Sequence, residues 1–132
     1  MGNLVSDISG AKFCFTGENM VTVLIIEDDS SVRLVTKLHL RNEYQVVEAS
    51  NGMEAMELLE HQSVDLIIAD VMMPKMNGYE FVEQFRVMDK ITPVLFLTAK
   101  REWQDKKTGF AIGIDDYMTK PVNYEELQWR IR

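Results

Sequence analysis

The feature that most constrains the fold is a continuous apolar run, Leu66–Ala69 (LIIA), followed directly by Asp70. The run is too short for a typical helix and has no polar alternation, so it predicts a strand buried on both faces of a parallel sheet. Pro74 and Gly78 indicate an irregular loop before the next helix. Because open α/β sheets bind ligands at the carboxyl ends of their strands, we expect Asp70 to lie at a ligand site.

From Val21 onward, short apolar runs alternate with segments in which apolar residues recur at helical spacing. The predicted strands are Val21–Ile26, Tyr44–Glu48, Leu66–Ala69, Pro93–Leu97 and Ile114–Met118. Helical spacing is found at Val32, Val35 and Leu38, at Ala55, Met56 and Leu59, at Phe81, Val82 and Phe85, and at Leu127 with Ile131. Five strands that alternate with helices predict an α/β fold, in which a parallel sheet is covered by helices on both faces.

Local sequence also assigns two helix starts and one weak helix. Asp29 or Ser30 can cap the first helix, and Asn51 or Ser50 can cap the second. The segment Lys100–Gly113 combines many charges with few large apolar residues. We expect this helix to pack loosely and to be the element that moves most readily.

Composition and charge exclude several classes of function. Lys plus Arg number 14 and Asp plus Glu number 21, and the net charge of -7 argues against sequence-independent binding of nucleic acid. No apolar stretch approaches the ~20 residues that a membrane-spanning helix needs. Cys14 is the single cysteine and cannot form an internal disulfide, so we expect a cytoplasmic protein without a membrane partner.

Residues 1–19 do not share the alternating pattern. We interpret them as an unstructured expression-vector extension or an upstream start, with Met20 as the native first residue. Residues 20–132 then form one domain. The sequence stops at Arg132 inside an amphipathic run without Gly, Pro or a cap, so we expect an output domain to follow it in the natural protein. A free-standing domain is the alternative.

Chemically matched groups follow four of the predicted strands. They are Glu27, Asp28 and Asp29 after the first strand, Asp70 after the third, Thr98 at the end of the fourth and Lys120 after the fifth. Because the carboxyl ends of parallel strands lie at one edge, these groups are expected to share one crevice. Clustered carboxylates require a cation, and an all-oxygen site suits Mg²⁺. Asp70 is then the candidate nucleophile for an acyl phosphate, and Lys120 would neutralise the incoming phosphoryl group.

Taken singly, each of these residues also has a structural interpretation. Asp29 is preferred as a helix cap, Thr98 would be satisfied by the backbone, and Lys120 would be a surface charge. The joint pattern at one edge of the sheet favours the functional interpretation. His39 and His61 fall in helical segments away from the strand ends, and neither is expected to bind a metal or to accept a phosphoryl group.

From Val21 to Arg132 the chain resembles the receiver domain of bacterial two-component response regulators. The resemblance rests on four ordered motifs: Val23–Asp29 (VLIIEDD), Asp70–Gly78 (DVMMPKMNG), Leu97–Ala99 (LTA) and Asp115–Pro121 (DDYMTKP). It implies a flavodoxin-like, doubly wound sheet of five parallel strands in the order 2-1-3-4-5, in agreement with the alternation of strands and helices.

The resemblance also implies a site, residue by residue. Asp70 would accept a phosphoryl group from a phosphohistidine on a sensor histidine kinase. A Mg²⁺ cofactor would be held by Asp28 directly, by Glu27 through water, by Asp70, and by the backbone carbonyl of Met72.

A phosphorylation-controlled switch is implied in the same way. Thr98 and Tyr117 match the family's switch pair, and Lys120 matches the phosphate-contacting lysine, whose bond to Pro121 is expected to be cis. A phosphoryl group on Asp70 would draw the Thr98 hydroxyl inward and open space for Tyr117 to turn in from the surface.

The expected output surface is formed by Lys100–Gly113, the fifth strand and the last helix. Its charges are Lys106, Lys107, Arg130 and Arg132 against Asp105, Asp115, Asp116 and Glu126. Mixed charge suits a symmetric, salt-bridged homodimer that forms on phosphorylation. The end of the sequence resembles the OmpR/PhoB-like subfamily, whose members carry a winged-helix DNA-binding domain next. DNA would therefore be contacted in transcription regulation only through a domain absent from this chain; a stand-alone receiver that acts by protein contacts is the alternative.

We expect a phosphoacceptor that assists its own phosphorylation and loses the group slowly, not an enzyme. Met72, two residues after Asp70, offers no carboxylate to activate water, unlike the acid at that place in haloacid-dehalogenase-type phosphatases. The competing class is a Mg²⁺-dependent phosphohydrolase with an aspartyl-phosphate intermediate, and the pair Thr98 and Tyr117 argues against it. Lys100 either reaches over the crevice or faces solvent, and the sequence favours neither.

Overall fold

The computed structural model describes residues 20–99 and 111–131. The strands are β1 (Thr22–Ile26), β2 (Gln45–Ala49), β3 (Leu66–Ala69), β4 (Val94–Thr98) and β5 (Asp116–Thr119). The helices are α1 (Ser30–Leu40), α2 (Gly52–Leu59), α3 (Gly78–Met88) and, at the end of the chain, α4 (Tyr124–Ile131). The predictions for residues 1–19, for 100–110 with Lys100, Asp105, Lys106 and Lys107, and for Arg132 lie outside the described residues.

The sheet has five parallel strands in the order β2-β1-β3-β4-β5, which confirms the predicted flavodoxin-like fold. In the register, Ile26 at the end of β1 aligns with Ala49 of β2 and with Ala69 of β3. At the other side Thr98 of β4 aligns with Thr119 of β5. All the strand ends therefore meet at one edge. The bounds of β3 are those predicted, and the other strands begin or end one or two residues from their predicted bounds.

The core lies in two layers, one on each face of the sheet. Ala55 of α2 and Phe81, Val82 and Phe85 of α3 pack on one face. Leu40 of α1 and Leu127 and Ile131 of α4 pack on the other. All five residues of β1 and all four of β3 are buried, which is the pattern expected for central strands covered on both sides.

Two of the residues predicted as N-caps, Asp29 and Asn51, cap the first two helices. Asp29 accepts hydrogen bonds from the backbone N–H groups of Ser31 and Val32, at 2.9 and 3.2 Å. Asn51 accepts from the N–H of Glu54 at 2.9 Å. Each cap satisfies a backbone donor that the helix itself leaves without a partner, and contributes about 1 kcal/mol.

The apolar spacing in α1 indicates its buried face only in part. Thr36 and Leu40 are buried, whereas Val35 is 39% exposed and Leu38 is 42% exposed. Val32, Val35 and Leu38 are three residues apart, and such a repeat moves around a helix with 3.6 residues per turn. Thr36 and Leu40 are four residues apart and lie closer to one face. Thr36 occupies a core position because its hydroxyl donates to the Val32 carbonyl at 2.8 Å.

Among residues 20–99 and 111–131, no helix combines the length and the apolar character that crossing a membrane requires.

Candidate functional site

Backbone hydrogen bonds position three charged residues just beyond the strand ends. The N–H of Glu27 donates to Ala49 O at 3.0 Å, and the N–H of Asp70 donates to Ile26 O at 3.0 Å. The N–H of Lys120 donates to Thr98 O at 2.8 Å. The parallel ladder thus continues one residue past each strand and delivers the three side chains to the same edge, as the sequence predicted.

Lys120 bridges two carboxylates there. Its Nζ lies 2.6 Å from Glu27 Oε1 and 2.9 Å from Asp70 Oδ2. The side chains of Glu27 and Asp70 are only 5% and 8% exposed, and that of Lys120 is 21% exposed. Two nearly buried carboxylates share one ammonium group, so this part of the site carries one excess negative charge.

Burial and the neighbouring charges alter the pKa values of Glu27 and Lys120. Burial raises the pKa of Glu27 to about 7, and the charge of Asp70 adds to that rise against the lowering effect of the Lys120 hydrogen bond. For Lys120, burial by itself lowers the pKa, but the hydrogen bonds to both carboxylates outweigh it and raise the pKa above its usual value. Near neutral pH the ammonium is therefore charged and Glu27 is partly protonated.

Asp28 completes an acidic cluster. One carboxylate oxygen from each of Glu27, Asp28 and Asp70 lies within 4.8 Å of the others, and Asp28 is exposed at the mouth of the site. With all three carboxylates ionised, they and the Lys120 ammonium sum to a charge of -2, which a divalent cation would neutralise. Oxygen donors of this kind are the ligands that Mg²⁺ prefers. The donor set therefore fits the predicted cofactor.

The loop after β3 orients Asp70. The backbone N–H of Met72 donates to Asp70 Oδ1 at 3.2 Å, so each carboxylate oxygen has a donor. The Met72 side chain is 58% exposed and brings no carboxylate to the site. A Cβ on Gly78, the first residue of α3, would lie 2.6 Å from the Asp70 carbonyl oxygen. Only glycine permits so close an approach of the helix to the backbone of Asp70.

Thr98 and Tyr117 lie on the neighbouring strands. Thr98 is fully buried at the end of β4. Tyr117 is 9% exposed, and its ring packs edge to face against Phe96 with the centroids 6.4 Å apart. The sequence predicted a Tyr117 that turns in from the surface, but in this structure the ring is already nearly buried. The register explains this, because Phe96 and Tyr117 are paired residues and point to the same face of the sheet.

Two further predictions concern residues around the site. The peptide bond between Lys120 and Pro121 is cis, as expected. His39 and His61 are exposed and lie outside the acidic cluster. The His39 ring stacks on Tyr124 of α4 with the centroids 4.1 Å apart.

Sequence reasoning missed one residue that contacts the site. Arg33, in the first turns of α1, donates from Nη1 to the backbone carbonyl of Glu27 at 2.6 Å. A signal was present, because a long cationic side chain four residues after the cap Asp29 can reach back toward the end of β1. The pattern of strand ends does not reveal it, since Arg33 lies on a helix.

Of the charges expected to link two copies of the chain, the four that the structure describes, Arg130, Asp115, Asp116 and Glu126, are paired within one copy. Arg130 Nη1 lies 2.9 and 3.0 Å from the two oxygens of Asp116, and its Nε lies 2.9 Å from Glu126. Asp115 pairs with Arg86 Nη2 at 3.2 Å. In the described part of the expected output surface, any intermolecular ion pair would have to share or replace these partners.

Comparison with known proteins decides the family. Residues 23–132 match the model of the response regulator receiver domain. This chain belongs to that family. The receiver is 40% identical over 111 residues to the alkaline phosphatase synthesis transcriptional regulatory protein PhoP of Bacillus subtilis, an alignment that covers 83% of this chain and 46% of PhoP. It is 37% identical over 113 residues to the transcriptional regulatory protein TrcR of Mycobacterium tuberculosis, covering 85% of this chain and 44% of TrcR. The chain thus spans less than half the length of these relatives, whose names agree with the predicted OmpR/PhoB-like subfamily.

Solved structures place the receiver among proteins of the same fold. The chemotaxis protein CheY4 of Vibrio cholerae is 37% identical with a TM-score of 0.79, and the match covers 83% of this chain and 93% of that chain. The receiver domain of the sensor histidine kinase PA1611 of Pseudomonas aeruginosa PAO1 has magnesium coordinated in its active-site cleft. It is 28% identical with a TM-score of 0.75, and the match covers 83% of this chain and 92% of that chain.

Proposed function

We propose that this receiver is a phosphorylation-activated signalling switch in which Asp70 accepts a phosphoryl group from a sensor histidine kinase. The observation that carries the proposal is the position of Asp70, a nearly buried carboxylate at the carboxyl edge of the sheet, held between the Lys120 ammonium and the Met72 N–H. A carboxylate in such a place is oriented for attack and is flanked by groups that stabilise added negative charge.

Residues of the acidic cluster would hold Mg²⁺. Asp28, Asp70, the Met72 carbonyl and, through water, Glu27 are the proposed ligands; the charge of -2 and the oxygen donor set support them. The magnesium-containing cleft of the similar receiver from Pseudomonas aeruginosa gives further support. When bound, the ion would screen the charge of the incoming phosphoryl group.

Lys120 has the other electrostatic role. Its ammonium lies within hydrogen-bond distance of the oxygen of Asp70 that faces it, and its raised pKa keeps it charged. When phosphoryl oxygens arrive on Asp70, Lys120 can exchange its bond to Glu27 for a bond to the phosphoryl group. The Lys120 ammonium would therefore neutralise part of the negative charge of the phosphoryl group on Asp70.

The product is proposed to be long-lived. Hydrolysis of an acyl phosphate is accelerated about 10²- to 10⁴-fold when a nearby base activates the attacking water. Met72, the residue two places after the acceptor, presents a thioether and no carboxylate. The absence of a base at this position is the reason to prefer a switch over the phosphohydrolase alternative.

The output is proposed to be a change at the surface formed by β5, α4 and the segment before β5. A charged acceptor site would pull on the Thr98 hydroxyl, and Thr98 is in register with Thr119 of β5, two residues from Tyr117. The consequence would be a homodimer through this surface, and control of a DNA-binding domain outside this chain. The names of the relatives, which are transcriptional regulators in bacteria, support a transcriptional role. The proposed compartment is the cytoplasm.

Intact-mass spectrometry tests the central step. The protein is incubated with Mg²⁺ and a small acyl-phosphate donor, beside the variants Asp70→Asn and Asp89→Asn. Asp89 lies at the far end of α3, where asparagine preserves the acceptor for the N–H groups of Ile91 and Thr92. One added phosphoryl group that persists for minutes in the wild type and in Asp89→Asn, but not in Asp70→Asn or in EDTA, is the expected result.

Two other results would redirect the interpretation. Continuous release of phosphate without an adduct would establish the phosphohydrolase. An adduct that survives in Asp70→Asn would assign the acceptor to another residue.

Sedimentation equilibrium tests the dimer with and without a phosphoryl mimic that binds beside Asp70. The expected result is a doubled mass only with the mimic and Mg²⁺. The variant Arg130→Met is expected to form a weaker dimer. An unchanged mass at high protein concentration would remove dimerisation from the mechanism and favour a stand-alone receiver.

A further inference from the structure

Glu27 is held at every polar atom. Its N–H donates to Ala49 O at 3.0 Å, and its two carboxylate oxygens accept from Lys120 Nζ at 2.6 Å and from the N–H of Asp29 at 3.2 Å. The remaining atom, the backbone carbonyl oxygen, accepts from Arg33 Nη1 at 2.6 Å. Among these four partners, only Arg33 is a side chain from outside the strand ends.

The carbonyl that Arg33 holds belongs to the peptide unit between Glu27 and Asp28. A peptide unit is planar and includes the Cα of Asp28, so fixing its oxygen fixes the orientation of the plane from which the Asp28 side chain projects. Glu27 is 4% exposed and is anchored in any case, but Asp28 is exposed and has little packing around it. The separation of the two carboxylates therefore depends on that plane.

Arg33 is itself anchored from two sides. Its N–H donates to Asp29 O at 2.9 Å within α1, and its Nε lies 3.5 Å from Glu48 Oε1 on β2. The side chain is 22% exposed. The planar guanidinium can hold a carbonyl and a carboxylate with different nitrogens at once, which a lysine ammonium does less rigidly. Lys37, one turn later, contacts the same Glu48 at 3.1 Å.

We propose that Arg33 is a positioning residue for the metal site, because its guanidinium fixes the peptide plane that joins Glu27 to Asp28 and so sets the spacing of the two carboxylates. The inference rests on the proposed function, since it assigns a support to the Mg²⁺ site of that mechanism. Groups that orient metal ligands typically alter metal affinity by 10- to 100-fold when they are removed.

The sign of the effect separates positioning from simple charge. A cation beside a metal site repels the metal, so loss of the Arg33 charge alone would tighten Mg²⁺ binding. Loss of the peptide anchor would weaken it. For Arg33→Met we therefore expect Mg²⁺ to bind about tenfold more weakly, although the variant has one positive charge fewer.

The measurement is a titration of the complete chain with MgCl₂, followed by the backbone amide NMR signals of the acidic cluster. Lys37→Met is the matched control, because it removes a cation from the same helix and the same Glu48 without touching Glu27. It is expected to leave the Mg²⁺ dissociation constant within about twofold. Arg33→Lys is expected to recover part of the affinity. In EDTA, the amide signals of Asp28 and Asp29 should shift in Arg33→Met and not in Lys37→Met.

The outcomes separate the two proposals. Wild-type protein that binds no Mg²⁺ would overturn the metal site and this inference with it. If the wild type binds Mg²⁺ and Arg33→Met binds it equally well or more tightly, only the positioning role is wrong. Should Arg33→Met not fold, Arg33→Lys decides, since it keeps the charge but not the planar guanidinium and is expected to bind Mg²⁺ more weakly than Lys37→Met does.

Discussion

Two cations in this receiver each bridge two carboxylates, and the surroundings of the two bridges differ. Lys120 lies between Glu27 and Asp70, whose side chains are 5% and 8% exposed. Arg130 on α4 bridges a buried aspartate at the start of β5 and Glu126, which is 45% exposed. The contact distances are similar, from 2.6 to 2.9 Å at the first bridge and 2.9 Å at the second.

Burial on both sides of the cation is what distinguishes the acidic site. There burial raises the pKa of Glu27 to about 7, with a smaller contribution from the charge of Asp70, so the group can change its protonation near neutral pH. At the outer bridge, water solvates the exposed carboxylate of Glu126, which reduces the free energy that the ion pair contributes. The acidic site therefore differs from the outer bridge in that both of its paired carboxylates are nearly buried.

Removal of each cation gives the largest expected contrast. Without metal at pH 8, Lys120→Met leaves two nearly buried carboxylates together, and we expect the free energy of unfolding to fall by about 3–5 kcal/mol. Arg130→Met leaves Asp116 with the N–H of Tyr117 as a donor, at 2.8 Å, so the expected loss is about 1–2 kcal/mol. Urea denaturation in EDTA measures both.

Addition of Mg²⁺ sharpens the same comparison. The ion should restore more stability to Lys120→Met than to the wild type, and should not act on the outer bridge. Equal losses in the two variants, with equal responses to Mg²⁺, would show that burial does not distinguish the bridges.

The pH dependence of stability is the next effect in size. The ordinary pKa of a glutamate is 4.5, and that of Glu27 in the folded protein is about 7. Between these two pH values, folded Glu27 holds a proton that the unfolded chain has released. Its contribution to stability is complete below pH 4.5 and is lost as the pH rises through 7, by about 3 kcal/mol in the metal-free protein.

Glu27→Gln isolates that contribution, because glutamine keeps the shape and cannot titrate. The free energy of unfolding of the wild type minus that of the variant, measured in EDTA, should fall by about 3 kcal/mol as the pH rises from 4 to 8. A difference that stays constant with pH would assign the titration to another group. In the wild type, Mg²⁺ should bind more tightly above pH 7 than below it, since the proton on Glu27 no longer competes.

The smallest expected effect is at the exposed carboxylate of the outer bridge. Glu126→Gln removes an ion pair between residues four apart on α4, and should cost about 0.3–0.5 kcal/mol at low salt. In 1 M NaCl the cost should vanish, because the Debye length there is only about 3 Å. Thermal unfolding at the two salt concentrations measures it, and a loss that is large or independent of salt would place Glu126 in a more protected environment than the structure describes.

Sequence alone predicted the sheet and the meeting of the strand ends, because both follow from periodic patterns. The run Leu66–Ala69 is too short for a typical helix and has no polar alternation, which predicts a buried strand, and a parallel sheet brings Asp70 and Lys120 to one edge. The roles assigned to the site residues remain predictions of the resemblance.

Contacts made by long or polar side chains were not predictable in the same way. Arg33 can reach several acceptors from its place on α1, and only the packed structure selects the carbonyl of Glu27. Thr36 is buried because its hydroxyl bonds within the helix, which hydrophobic periodicity does not register. Arg130 could pair within the chain or with a second copy, and mixed charge on a surface does not distinguish these possibilities.

The contact between Gly78 and Asp70 has a consequence for how a signal can leave the site. Because a Cβ at Gly78 would lie 2.6 Å from the Asp70 carbonyl oxygen, the start of α3 and the end of β3 are in direct backbone contact. The backbone of Asp70 cannot move toward α3 to make room for an added group. In the proposed mechanism the backbone of Asp70 therefore stays in place on phosphorylation. The residues that move are Lys120, Thr98 and those of the strands beyond them.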